Sequence, residues 1–469
     1  MRLTVIGAGY VGLVTAACLA RLGHEVACLE VAPERLDALR AGRVPFHEPG
    51  LAELVSEGLA AGRLRPVGDA AEALPGAEAV LVCVGTPLGE DGSADMSQVR
   101  SGCAAIAQHV PDAAILVRST LPLGAWADVS RWLGRQDADR VALNPEFLRQ
   151  GTAVSDFLAP TRIVIGTPDG GESAASRVVR RIYDGLASPI LVTDFASAEM
   201  IKNAANVFLA AKLTFINEIA DLCVSYGADV GDVVEGIGLD PRIGGSYLRP
   251  GIGFGGSCLP KELANIVRLG EAAGVSVPML QGALNDNAAR PAAIVERLEA
   301  RLGGLRGQHV GMLGLSFKPH TDDLRDSPSL ALVGALLARG AIVTAHDPVV
   351  RRRATDHVAG LARAASAEDA CRGADLVVLA TEWQAYLELD WGRLARMARR
   401  AVLFDGRRAL DPETLRAAGW LLLGIGRAEG WAPVTPVVAT PRASRQPLPV
   451  QPRPIGAAPF SQVARHARP

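Results

Sequence analysis

Apolar residues come first in short runs, at 3–6, 25–29, 79–84, 114–117, 141–143 and 162–165, with helix-length segments between them. Short buried runs spaced by helices are what βαβ units feeding a parallel sheet require. Residues 196–226 contain neither Gly nor Pro, which predicts a long helix, and a second helical stretch is predicted over 259–274. The alternation resumes at 309–315, 341–345, 375–380 and 402–404. The pattern predicts an α/β chain with two doubly wound parallel sheets joined by a helical middle, divided as 1–195, 196–300 and 301–430. From 431 to 469 proline recurs every few residues and arginine is the only charged type apart from histidine, so this tail is expected to be disordered.

Composition narrows the function classes. With 469 residues and 49% apolar content the chain can bury several cores, and about 150 residues per domain gives three units. The net charge of −2 and the lack of long basic stretches interleaved with aromatics argue against a nucleic-acid face. The seven cysteines lack the paired spacings of a metal site or a disulfide framework, so no metal and a reducing compartment are expected. Met1-Arg2-Leu3-Thr4 runs straight into a strand, and no apolar run approaches the roughly 20 residues needed to span a bilayer. A cytoplasmic protein with no membrane partner is the expectation.

Gly7-Ala8-Gly9-Tyr10-Val11-Gly12 follows the first strand and opens a helix, and Glu30 ends the second strand. The glycines allow a tight turn, close approach of backbone to a pyrophosphate, and helix packing, while the helix N-terminus favours the anion. This is a Rossmann-type dinucleotide site. A carboxylate at Glu30 accepts ribose hydroxyls and repels a 2′-phosphate, favouring NAD, although Arg35 nearby could meet such a phosphate. Thr86 and Thr120 sit in turns after later strands, where they either touch cofactor or substrate or serve as ordinary turn residues.

The segment 251–262 places Cys258 after a run of glycines and ahead of a helix, beside Lys261. A thiol at a helix N-terminus next to a cation favours the thiolate, which marks Cys258 as a nucleophile; the other six cysteines read as small buried hydrophobes. Lys202 and Asn206, four residues apart, share a helix face as hydrogen-bond donors. That face is either solvated or aimed at a developing oxyanion.

With these residues in place the chain resembles the UDP-glucose/GDP-mannose dehydrogenase family from residue 1 to about 427. The matching motifs run in order: Gly7 to Gly12, Glu48-Pro49-Gly50-Leu51, Val84-Gly85-Thr86-Pro87, Asp91-Gly92-Ser93-Ala94-Asp95, Ser119-Thr120, Asn144-Pro145-Glu146-Phe147-Leu148, Ile201-Lys202-Asn203 with Asn206, Phe254-Gly255-Gly256-Ser257-Cys258-Leu259-Pro260-Lys261, Gly314-Leu315-Ser316-Phe317-Lys318, Thr321-Asp322-Asp323-Leu324-Arg325 and Thr381-Glu382-Trp383. The resemblance implies a four-electron oxidation of a nucleotide sugar with NAD through a thioester on the cysteine. UDP-glucose is the substrate implied first, GDP-mannose second, and an inactive nucleotide-sugar-binding protein is the remote alternative.

Carried over by position, the resemblance makes Cys258 the nucleophile, with Lys202 and Asn206 as oxyanion donors and Thr120, Glu146 and Glu262 serving the hydrolytic water. Gly7, Gly9, Tyr10, Val11, Gly12, Glu30, Arg35, Thr86, Thr120 and Arg325 would hold the cofactor. Glu146, Phe147, Leu148, Lys202, Asn206, Tyr247, Phe254, Gly255 and Lys318 would hold the substrate, with Lys318 and Arg325 neutralising its nucleotide end. Arg242 would reach the substrate of a neighbouring subunit, which implies a homodimer or larger homo-oligomer. The chain departs from the family pattern at Glu262, Gln150, Thr161 and Ala32, where acidic residues of other length or charge are usual, and at the turn Leu121-Pro122-Leu123-Gly124-Ala125.

Overall fold

A computed structural model of the chain describes residues 1–428 and 431, apart from 88, 90–92, 111 and 135–137. The motif at 91–95 is thus described only from 93 onward, and the tail expected to be disordered lies outside the described residues except for Trp431. Strands β1 (Arg2–Ile6), β2 (Glu25–Leu29), β3 (Leu64–Val67), β4 (Ala79–Val82), β5 (Ala114–Val117), β6 (Val141–Leu143), β7 (Ile163–Thr167) and β8 (Ile190–Asp194) form one sheet in the order β3-β2-β1-β4-β5-β6-β7-β8. Strands β9 (His309–Leu313), β10 (Ile342–His346), β11 (Leu361–Arg363), β12 (Leu376–Leu379), β13 (Val402–Asp405) and β14 (Leu421–Gly424) form a second, in the order β11-β10-β9-β12-β13-β14. Both orders reverse beside their first strand, so each sheet carries a topological switch point.

The second sheet is parallel throughout, and the first is parallel except where β6 meets β7 through Leu143 and Gly166. That reversal matters for the site. Because β7 runs against β6, the residues that begin β7 lie at the same sheet edge as those that follow β6.

The long helix Phe195–Tyr226 leaves β8 with Asp194 as its cap, the carboxylate accepting the Ser197 amide at 2.8 Å. Its first turns lie close against the sheet because Gly166 has no side chain: a Cβ there would fall 2.7 Å from that of Ala198. Helices Leu259–Ala272 and Pro278–Leu302 pack beside it. The second was not anticipated, since Pro291 interrupts its interior and proline breaks the helical pattern in sequence. Leu13, Leu81, Leu116 and Ile165 anchor the first core, and Ile216, Leu298, Met312 and Phe404 the core shared by the long helix and the second sheet.

Candidate active site

At the end of β1 the chain turns through Gly7, at φ +93°, into helix Tyr10–Arg21. A Cβ on Gly12 would lie 1.8 Å from the Gly7 carbonyl oxygen, so helix and turn touch directly, whereas a Cβ on Gly9 would meet nothing within 4 Å. Gly9 faces open space at the helix N-terminus, and Val11 follows in the first turn; this is the shape and polarity a pyrophosphate requires. Glu30 is buried at the end of β2, where its carboxylate accepts the amides of Ala8 at 3.3 Å and Ala32 at 2.8 Å. Arg35 donates to the same carboxylate at 2.9 Å, so the guanidinium expected to be able to meet a 2′-phosphate is engaged by Glu30. The turn fits a dinucleotide. The phenol of Tyr10, by contrast, turns away and donates to Glu48.

A cavity of about 630 Å³ opens between the two sheets, walled on its third side by the long helix. Glu146, Phe147, Leu148, Lys202, Asn206, Tyr247, Phe254, Gly255, Cys258 and Lys318 all line it. Four of them stand just beyond the carboxyl ends of strands, Glu146, Phe147 and Leu148 after β6 and Lys318 after β9, where parallel sheets leave their crevices. Lys202 and Glu146 are both buried, with Nζ 3.0 Å from Oε1 and 2.7 Å from the Glu146 carbonyl oxygen. Burial alone would lower the Lys202 pKa, but the interaction and hydrogen bond with Glu146, together with the neighbouring Cys258 and Glu262, outweigh it and hold the ammonium above its ordinary value. Asn206 Nδ2 is buried without a hydrogen-bond partner, a costly state for an amide donor. Asn203, next to Lys202, is fully buried and bonds back to the Glu199 carbonyl instead.

Cys258 is exposed and caps helix Leu259–Ala272, its Sγ 3.6 Å from Ser257 Oγ. The other six cysteines are buried, and burial pushes the thiols of Cys18, Cys28, Cys83, Cys103 and Cys371 up to about 12. Only the loop cysteine is open to a ligand in the cavity.

The loop is held by residues that sequence reasoning missed. Asn217 accepts the Gly251 amide at 2.8 Å, Arg290 donates to the Gly251 carbonyl at 2.7 Å, and Asn287 bonds both amide and carbonyl of Phe254. Gly255 has a role beyond the cavity wall, since a Cβ there would lie 2.1 Å from the Asp326 carbonyl. Also missed were Arg407, which follows β13 and donates to the carbonyls of Ala380 and Phe317, and Arg162, which precedes β7 and lies 3.7 Å over the Phe147 ring. Both line the cavity, with Arg149, Arg249 and Lys318. The walls are therefore strongly cationic.

The remaining predicted residues do not line the cavity. Thr86 donates to the Thr120 carbonyl at 2.9 Å and lies 3.4 Å from Lys261 Nζ, which in turn pairs at 3.3 Å with the buried Glu262. This group joins the helix behind Cys258 to the turns after β4 and β5. Arg325 pairs with Asp323 at 2.6 Å, and its carbonyl accepts the Gly256 amide at 2.9 Å, so it braces the cysteine loop. Arg242 is on the surface, paired with Asp240 at 2.6 Å.

Three family models match in order: the NAD binding domain of the UDP-glucose/GDP-mannose dehydrogenase family over residues 1–187, its central domain over 196–289 and its UDP binding domain over 311–412. The chain belongs to the UDP-glucose/GDP-mannose dehydrogenase family. As a member it is an NAD-dependent oxidoreductase of nucleotide sugars, its NAD binding domain carrying the first sheet and its UDP binding domain most of the second. A UDP-glucose 6-dehydrogenase of Rhizobium meliloti is 41% identical over 440 residues, 92% of this chain and 100% of the relative. The structure of a UDP-glucose dehydrogenase from Pyrobaculum islandicum superposes with a TM-score of 0.82 at 38% identity, covering 92% of this chain and 98% of that one. A GDP-mannose dehydrogenase from Pseudomonas aeruginosa gives a TM-score of 0.50 at 29% identity, covering 90% and 99%. Among the described residues no helix is long and apolar enough to cross a membrane.

Proposed function

We propose that this dehydrogenase oxidises the C6 alcohol of UDP-glucose to the carboxylate of UDP-glucuronate through a thioester on Cys258. The observation that carries the reading is the exposed Cys258 thiol sharing one cavity with the buried Lys202 ammonium and the unpartnered amide of Asn206. UDP-glucose is favoured over GDP-mannose by the 41% identity to a UDP-glucose 6-dehydrogenase against 29% to a GDP-mannose dehydrogenase.

Bound NAD supplies the hydride acceptor for both oxidations, two molecules per sugar; Gly7, Gly9, Gly12 and the first turn of the helix at Tyr10 and Val11 would hold its pyrophosphate, and Glu30 its ribose. Lys202 and Asn206 stabilise the alkoxide as the alcohol passes its proton to the Glu146 carboxylate, and from there to solvent, on the way to aldehyde. Cys258 Sγ then adds to the aldehyde carbon, and the resulting oxyanion sits against the same two donors. After the second oxidation the carbon is a thioester. Water adds to it, the C–S bond breaks, the thiol is regenerated and the acid leaves. Glu146, held by Lys202, takes the proton from that water, with Thr120 and Glu262 arranged behind it. Covalent capture keeps the aldehyde from escaping.

Lys318, Arg407 and the neighbouring arginines neutralise the diphosphate, which explains the cationic walls. A homodimer is part of the reading: Phe208, Phe215 and Leu222 stand exposed seven residues apart on the long helix, a stripe that a second copy would cover and that would bring Arg242 towards a partner's cavity. Six buried free thiols fit a reducing cytoplasm. The test is a substrate panel: NAD reduction with UDP-glucose and little with GDP-mannose is expected, and the reverse preference would overturn the assignment of the sugar nucleotide.

A further inference from the structure

The loop that carries Cys258 is rooted at Gly251, where both backbone polar groups are taken by side chains. Asn217 of the long helix accepts the amide at 2.8 Å, and Arg290 of the helix Pro278–Leu302 donates from Nε to the carbonyl at 2.7 Å. A Cβ on Gly251 would lie 3.3 Å from the Arg407 guanidinium, so the residues after β13 leave little room on the third side. The Arg290 side chain is 3% exposed, and its Nη1 meets Asp221 Oδ2 at 3.0 Å. Asp221 stands one turn beyond Asn217 on the long helix and is 46% exposed; its other oxygen takes Arg297 at 2.9 Å, and that guanidinium lies 4.5 Å over the Trp431 ring. Asp286, one turn before Arg290, leaves its Oδ2 without a hydrogen-bond partner and has its pKa raised by burial, so Asp221 is the carboxylate that balances the guanidinium. Arg290 Nη2 is buried with no partner. A buried arginine that leaves a donor unmet is a poor device for stability, and what its other two nitrogens secure is the place of one carbonyl.

Lys202 and Asn206 lie on the same helix as Asn217 and Asp221, about four turns earlier. One rigid element therefore carries the two donors and also the two residues that hold the root of the cysteine loop, Asn217 directly and Asp221 through Arg290. We propose that Asp221 and Arg290 form a positioning pair, the carboxylate holding the guanidinium on the Gly251 carbonyl so that Cys258 keeps its place relative to Lys202 and Asn206. This rests on the reading of Cys258 as nucleophile and of Lys202 and Asn206 as oxyanion donors. Without the pair, Gly251 keeps only its bond to Asn217, while Phe254 is still held by Asn287 through both its amide and its carbonyl. The loop then loosens at its root without unfolding.

The test compares the full-length enzyme with two variants, Asp221→Asn and Arg290→Lys. The first removes a half-exposed charge and opens no core cavity; the second keeps a cation beside Asp221 that cannot reach both it and the Gly251 carbonyl. Each should lower kcat with UDP-glucose roughly ten-fold, the worth of one hydrogen bond to a charged group, with KM for NAD unchanged. Each should also speed amide hydrogen exchange across residues 251–258, read by mass spectrometry, by about the same factor. Faster exchange with kcat unmoved would make the pair merely structural, and unchanged exchange would show that it does not hold the loop. A change confined to KM for NAD, or to melting temperature, would place its effect elsewhere; each of these outcomes overturns the proposal. Asp221→Asn decides alone if the lysine variant does not fold. Should Cys258→Ser retain turnover, the reading of Cys258 fails on its own, while the exchange measurement still reports whether the pair holds the loop. If the parent enzyme does not reduce NAD with UDP-glucose, kcat is compared with GDP-mannose.

Discussion

Lys202 reaches Glu146 twice, Nζ meeting the carbonyl oxygen at 2.7 Å and Oε1 at 3.0 Å, with both side chains almost wholly out of solvent. The lysine thus fixes the backbone as well as the carboxylate of the residue proposed to take the proton in hydrolysis. A buried pair of this kind is weak evidence for stability but strong evidence for placement, because removing one partner strands the other charge.

Lys202→Ala is accordingly expected to act on two scales. The rate should fall by about 10² to 10³, the loss typical of an oxyanion donor, and stability by roughly 3 to 5 kcal/mol from the stranded Glu146. Steady-state kinetics beside chemical denaturation separate them. A stability loss with the rate intact would return Lys202 to a purely structural role.

Cys258→Ser should lower turnover by more than about 10³-fold, as nucleophile removal does, while NAD affinity and melting temperature stay near those of the parent. The side chain is exposed, so the change opens no cavity. Retained turnover would sink the thioester.

The glycine turn gives a paired prediction. Gly12→Ala places a methyl 1.8 Å from a carbonyl oxygen and should damage the fold, seen as a lower melting temperature. Gly9→Ala meets nothing in the protein and should leave the melting temperature unchanged while weakening NAD binding in calorimetry. Equal effects on both measures would mean that Gly9 does not face the pyrophosphate.

Asp323 supplies a pH dependence. Its burial would raise the pKa, but hydrogen bonds from Arg325 and Gln150 outweigh that and lower it below 3.8. A folded pKa below the unfolded one gives stability that is present above the unfolded pKa and lost as pH falls through the folded value. Asp323→Asn should therefore lose less stability than the parent between about pH 5 and pH 3, measured by urea denaturation. A steeper loss in the variant would contradict the pairing.

Much of this was legible in the chain, and the gaps have a common physical cause. The interior strands were readable as apolar runs, whereas β3, β8, β11 and β14 were not, and these are the four sheet edges. An edge strand needs less covering, so β3 tolerates Arg65 and Pro66 and β11 is only Leu361-Ala362-Arg363. β14 is apolar and as long as β4 or β12, so neither composition nor length accounts for its being missed. Lys202, Asn206 and Cys258 were readable because spacing and glycine context mark them. Arg162 was hidden because its placement depends on the antiparallel β7, and Arg407, Asn217, Asn287 and Arg290 because they meet the site only through tertiary packing. The sequence placed Tyr10 with the cofactor on its position alone, and the direction of its side chain could not be read from spacing.

The central claim is that one cavity carries the sugar through two oxidations without releasing it. Counting the NADH formed per UDP-glucose consumed, to completion and with excess NAD, tests it directly. The account predicts two NADH and UDP-glucuronate as the product. A single NADH with free aldehyde would contradict it.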